Sequence, residues 1–167
     1  MWPFRRILLP TDFSGCSLEA LPKAVEIAQA SHAPIVLVHV LPLDPPTPWD
    51  VPPYADFGLA VMPETDYHER LEQEVGRRLA ALAAESVPAG VERVLTVRRG
   101  EPAKEIVAVA AELGCDLIVM ATHGWTGWRH LVFGSVAERI LRESDRPVLV
   151  IRGARRSAEA ESPAAGR

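Results

Sequence analysis

Apolar residues in this chain fall into short unbroken runs separated by stretches of helical period. Arg6-Ile-Leu-Leu-Pro10, Pro34-Ile-Val-Leu-Val-His-Val-Leu41, Glu92-Arg-Val-Leu-Thr-Val97, Asp116-Leu-Ile-Val-Met120 and Pro147-Val-Leu-Val-Ile151 are five such runs. A brief continuous apolar run bounded by turn residues suits a strand covered on both faces. Between the runs, Leu18, Leu21, Val25 and Ala28 recur at the spacing of one helix face, as do Leu71, Val75, Leu79 and Leu82 within 64–86, and Ile106, Val107, Ala110 and Leu113. A fourth helix is expected over Ser135 to Glu143. Pro22 fits the first helix only in its first turn, and Pro102, after Gly100-Glu101, opens the third.

The resulting order is β-α-β-α-β-α-β-α-β. Apolar strands alternating with amphipathic helices predict an α/β fold, a Rossmann-like doubly wound five-stranded parallel sheet with helices on both faces. Right-handed crossovers favour the strand order 3-2-1-4-5. Its switch point lies between strands one and four, and ligands of such sheets bind at the carboxyl ends of the strands flanking that point. Pro10-Thr11-Asp12 and Ala121-Thr122-His123-Gly124 would meet there. One domain is expected over 1–152, interrupted by a proline-rich excursion at 42–63 and followed by a disordered Ala/Ser/Glu/Arg-rich tail at 153–167.

Composition narrows the partners. The 167 residues are 48% hydrophobic and 24% charged, a balance typical of globular domains. A formal net charge of −4 argues against nucleic acid and anionic membrane surfaces as partners. No apolar run reaches the length of a bilayer span, and residues 1–6 lead straight into the first strand, so a cytoplasmic chain is expected. The two cysteines, Cys16 and Cys115, lack metal or redox spacing and are expected as free thiols.

The chemistry concentrates at the predicted crevice. After strand four come Gly124 and Gly127, and then Gly134-Ser135 at the start of the fourth helix. Glycine lets backbone pass close to a ligand, and a helix N-terminus presents unpaired N–H groups at the positive end of its dipole. Strand, glycine loop, Gly-Ser and helix together suggest a phosphate cradle. The same residues are also read as an unliganded turn and as a helix cap supplied by Ser135. Asp12 is placed to accept ribose hydroxyls or share a magnesium ion with phosphates, or else to cap a turn. Arg129 is the nearest fixed cation in the loop, while Trp125 and Trp128 would stack on a base or cover the loop. His123 has no accompanying nucleophile or orienting carboxylate and is read as a structural or ligand-contacting residue, with no catalytic residue assigned. His39, inside an apolar strand, is read as a satisfied core histidine.

Taken together, Ile7-Leu-Leu-Pro-Thr-Asp12, the His39-Val40 strand end, Asp116-Leu-Ile-Val-Met-Ala-Thr-His-Gly124, Gly134-Ser-Val-Ala-Glu138 and Pro147-Val-Leu-Val-Ile151 resemble the universal stress protein family from Phe4 to Arg152. Its ATP-binding members carry glycine, two residues, glycine, nine residues, then Gly-Ser or Gly-Thr. Here Gly124 and Gly134-Ser135 match that spacing, Ala121 stands at the first glycine, and Trp125 stands where such loops often hold a basic residue. The resemblance implies Pro10, Thr11, Asp12 and Val40 on the adenine and ribose side, and Met120, Ala121, Gly124, Gly134, Ser135 and Val136 on the ribose and phosphate side. It also implies a homodimer paired through the fifth strands, Val148 to Ile151. The expected function is a cytosolic, ATP-binding stress or signalling protein. Any hydrolysis would be slow, since the chain has no Walker lysine motif. The alternatives are a dimeric interaction module without nucleotide and, less favoured, an ATP-dependent ligase or adenylyl transferase.

Overall fold

The structure, a computed structural model, describes residues 3–43, 64–122 and 134–152, with the side chains of 64–67 excepted. Its elements run β1 (Ile7–Pro10), α1 (Gly15–Leu18), α2 (Leu21–Ser31), β2 (Ile35–Leu41), α3 (Glu64–Ser86), β3 (Arg93–Arg99), α4 (Pro102–Glu112), β4 (Leu117–Thr122), α5 (Ser135–Glu143) and β5 (Val148–Arg152). The five strands form one sheet in the order β3-β2-β1-β4-β5. Each neighbouring pair is parallel, with Ile7 facing both Ile35 and Leu117 across the central strand. The α/β class, the strand order and the switch point between β1 and β4 are those the sequence predicts.

Alternation along the buried strands divides the core. Ile7, Leu9, Ile35, Leu37, Leu117 and Val119 face the layer of α2 and α3, where Ala24, Ala28, Val75 and Leu79 meet them. Leu8, Val36, Val38, Ile118 and Met120 face α4 and α5, against Ile106, Val109, Ala110, Ala137 and Ile140. β1, β2 and β4 are almost wholly buried, which explains why they read as continuous rather than alternating apolar runs.

The first helix differs from the sequence expectation. In place of one helix across Leu18 to Ala28, a single turn, α1, is followed by α2, with Pro22 in the first turn of α2. Proline has no N–H to donate to the preceding turn, so α1 cannot run on through it. Ser14 starts α1 by accepting the Ser17 N–H at 3.1 Å. β3 extends two residues further than predicted, to Arg99. Gly100 follows with φ +149°, donating its N–H to Leu41 O at 2.9 Å, and a Cβ there would stand 2.8 Å from the Glu105 side chain. This turn delivers Pro102 and α4 to the same end of the sheet as the tips of β1 and β4. Asp116 lies just before β4 and accepts the backbone N–H groups of Arg5 and Arg6 at 2.9–3.0 Å, clasping the entry of β1 to that of β4.

Candidate functional site

At the carboxyl ends of β1, β2 and β4 lies a cavity of about 380 Å³, within the size range of small-molecule sites. β1 ends in Pro10, and Thr11 and Asp12 follow it into the cavity wall. β2 contributes Val38, His39 and Val40, with Pro42 beyond them, and β4 contributes Met120, Ala121 and Thr122. The opposite wall is the start of α4, through Pro102 and Ile106, and the start of α5, from Gly134 to Ala137. The lining is largely apolar, with the hydroxyls of Thr11, Ser14, Ser17, Thr122 and Ser135 and the Asp12 carboxylate as its polar groups.

Nine of the candidate residues meet in this one place: Pro10, Thr11, Asp12, Val40, Met120, Ala121, Gly134, Ser135 and Val136. His123, Gly124, Gly127 and Arg129, together with Trp125 and Trp128, lie outside the described residues. Ser14, Cys16 and Ser17 of the α1 turn, and Pro102 and Ile106 of α4, also line the cavity and were not anticipated. The α1 residues escaped notice because the turn carrying them is too short to show a period. Pro102 could have been found by following the third crossover to the carboxyl edge of the sheet.

The loop after β1 is tightly bonded. Thr11 N–H donates to Val38 O at 2.9 Å, and the Thr11 hydroxyl accepts the Phe13 N–H at 3.0 Å and lies 3.0 Å from the Ser17 hydroxyl. Asp12 Oδ1 accepts the Ser14 N–H at 2.8 Å, so the turn-capping role weighed for Asp12 is present. Partial burial alone would raise the Asp12 pKa, but hydrogen bonds from Ser14 and Ser17 outweigh it and hold the carboxyl below its ordinary value. Asp12 is exposed at the rim and is an anion at neutral pH.

His39 is 2% exposed, and its Nδ1 lies 2.8 Å from Thr11 O. A carbonyl only accepts, so Nδ1 carries the hydrogen. Burial lowers the pKa of the ring, which favours the neutral form. The satisfied core histidine read from the sequence is what stands here, and it also floors the cavity. Cys16 is half-buried at the cavity wall; Cys115 is buried, with its thiol pushed up to about 11, and both are free.

At α5 the cap position is Gly134, with no side-chain cap, and Ser135 is the first helical residue. The reading of Ser135 as the N-cap is therefore corrected: its backbone already has helical geometry. A Cβ built on Gly134 meets no described residue within 4 Å, at a point on the cavity wall. The first N–H groups of a helix have no partner within it, and they carry the positive end of its dipole. Asp12 is the one formally charged side chain among the described lining residues, so this helix end is the electropositive feature of the described wall. A phosphate fits such an end. No group of three or more metal-ligating side chains occurs among the described residues. Asp12 is the carboxylate among the described lining residues, and a magnesium ion, were one bound with phosphates, would be held there.

Comparison with known proteins agrees with this geometry. The model of the universal stress protein family matches residues 3–152. Universal stress protein MJ0531 of Methanocaldococcus jannaschii is 34% identical over 150 residues, covering 89% of this chain and 82% of its own. MJ0577 of the same organism is 27% identical, and its solved structure superposes with a TM-score of 0.68 over 90% of this chain and 96% of its own. A universal stress protein of Archaeoglobus fulgidus, solved in complex with dAMP, shares the fold at 20% identity and a TM-score of 0.54, covering 90% of this chain and 98% of its own. No described helix is long and apolar enough to cross a membrane. With its strand order, its switch-point cavity and a family match from residue 3 to residue 152, this chain belongs to the universal stress protein family.

Proposed function

We propose that the chain binds ATP in the switch-point cavity as a cytosolic stress-response protein, and that occupancy biases a homodimer or a partner contact. The observation that carries this reading is the start of α5 at Gly134, which has no side-chain cap, meets no described residue where a Cβ would stand, and lines the same cavity as Asp12. Adenine lies between Pro10, Val40 and Met120, the ribose near Asp12, and phosphates on the backbone of Gly134, Ser135 and Val136, with magnesium shared between phosphates and Asp12. His123, Gly124, Gly127 and Arg129, which lie between β4 and α5 in the chain, complete the phosphate side. That a protein of this fold was solved with dAMP supports an adenine nucleotide as the ligand class. As a switch, the nucleotide acts only through different affinities for two states. Hydrolysis is at most slow, because the chain has no Walker lysine motif and no described lining residue is an oriented base.

A second reading, a dimeric interaction module without nucleotide, is favoured by one observation. Ala121, half-buried in the cavity wall, puts a methyl group at the position that the family resemblance assigns to the first motif glycine.

Two substitutions separate the readings. Gly134→Val adds branched carbon where no described residue stands within 4 Å, and it obstructs the approach of phosphate. ATP affinity is expected to fall at least tenfold, about 1.4 kcal/mol, with an unchanged circular dichroism spectrum. An equal affinity in the folded variant contradicts the phosphate assignment. If wild type is silent and Ala121→Gly binds ATP, the second reading is correct.

A further inference from the structure

Phe13 stands directly behind the cavity rim in a conformation that a bulky residue seldom adopts. Its φ is +62°, in the left-handed region where Cβ crowds the backbone. Such outliers persist only where the surroundings over-determine them, and they gather at functional sites. The surroundings here are specific. The Phe13 ring stacks on His39 with centroids 4.7 Å apart and planes 24° apart. The guanidinium of Arg78, from α3, lies over the ring at 4.6 Å from its centroid, a favourable contact between a cation and a ring face. Phe13 is 8% exposed.

These contacts converge on one neighbour. Phe13 N–H holds the Thr11 hydroxyl at 3.0 Å, and the stacked His39 holds the Thr11 carbonyl at 2.8 Å. Thr11 N–H is already committed to Val38 O. With amide, carbonyl and hydroxyl of Thr11 all tied, the peptide leading into Asp12 has one orientation. That orientation sends the Asp12 carboxylate to the rim, where Ser14 N–H receives it.

We propose that Phe13, held by the His39 ring and the Arg78 guanidinium, is a positioning residue that presents Asp12 at the cavity rim. Its effect on ligand affinity rests on the nucleotide reading, whereas its hold on Asp12 does not. Leucine at position 13 fills similar space but offers neither ring face, so the left-handed turn loses its support and the Asp12 carboxylate loses its fixed donors. Tyrosine keeps the ring and restores both.

The test is amide hydrogen exchange at Ser14, read by NMR in the nucleotide-free full chain, comparing wild type, Phe13→Leu and Phe13→Tyr. Phe13→Leu is expected to speed exchange of the Ser14 N–H that Asp12 accepts by about tenfold relative to the core amides, and Phe13→Tyr to leave it at the wild-type rate. Unchanged Ser14 exchange in folded Phe13→Leu overturns the proposal. A purely packing role would lower thermal stability without exposing the Ser14 amide. With ATP and magnesium as the probe, Phe13→Leu is expected to weaken binding roughly three- to tenfold, and to add nothing in an Asp12→Asn background. Additive losses in the double variant overturn the proposal. A wild type indifferent to ATP, with Ser14 exchange still faster in Phe13→Leu, refutes the nucleotide reading and sustains the positioning role.

Discussion

Asp12, His39 and Gly134 each combine a local structural duty with a place on the cavity wall, and the duties have separate physical signatures. His39 is the sharpest case. Burial holds its pKa below the ordinary 6.5, so the unfolded chain takes up a proton at a higher pH than the folded one. Stability contributed by neutral His39 is therefore complete above about pH 6.5 and is lost as the pH falls toward the lower folded value. His39→Asn keeps an amide donor for Thr11 O but does not titrate. Urea unfolding of wild type is expected to show stability declining below pH 6.5, and His39→Asn is expected to show a smaller slope over the same interval. Equal slopes would mean that His39 is not held neutral. Asp12 and Asp116, both shifted downward, add a further decline as the pH falls below their ordinary 3.8.

Among the elements, β5 carries the most exposed consequence. It pairs with β4 along one edge, and Val148, Leu149, Val150 and Ile151 remain half-buried. Its other edge pairs with no described strand, and an apolar edge strand invites pairing with another chain, which supports the proposed homodimer. Val148→Glu is expected to raise the dimer dissociation constant at least tenfold, about 1.4 kcal/mol, in sedimentation experiments. A dimer unaffected by this charge would place the contact elsewhere. The same strand shows what a sequence can disclose. β1, β2, β4 and β5 announce themselves because each is a short apolar run ended by proline or polar residues, and the order of elements then limits the sheet to few topologies. The α1 turn gave no such signal: four residues hold no period, and Ser14, Cys16 and Ser17 reach the cavity only through the break before Pro22. The left-handed Phe13 was equally hidden, since its conformation is stabilised by His39 and Arg78, 26 and 65 positions away in the chain.

For the molecule as a whole, the fold places polar residues from separate stretches of chain at one crevice because parallel strands all end at the same edge. Three segments distant in sequence, 10–17, 38–42 and 120–122, meet the start of α5 without any of them carrying a diagnostic motif alone. The candidate site was legible to the extent that it follows strand ends, as Asp12, Met120 and Ala121 do. Pro102 and Ile106 escaped because their position depends on how α4 crosses the sheet. A calorimetric titration of the purified chain with ATP and magnesium, set against AMP, bears on all of this at once. Saturable heat with ATP favoured over AMP is the predicted result. No heat, from protein shown to carry no nucleotide through purification, would contradict nucleotide binding and leave a dimeric interaction module on the same sheet.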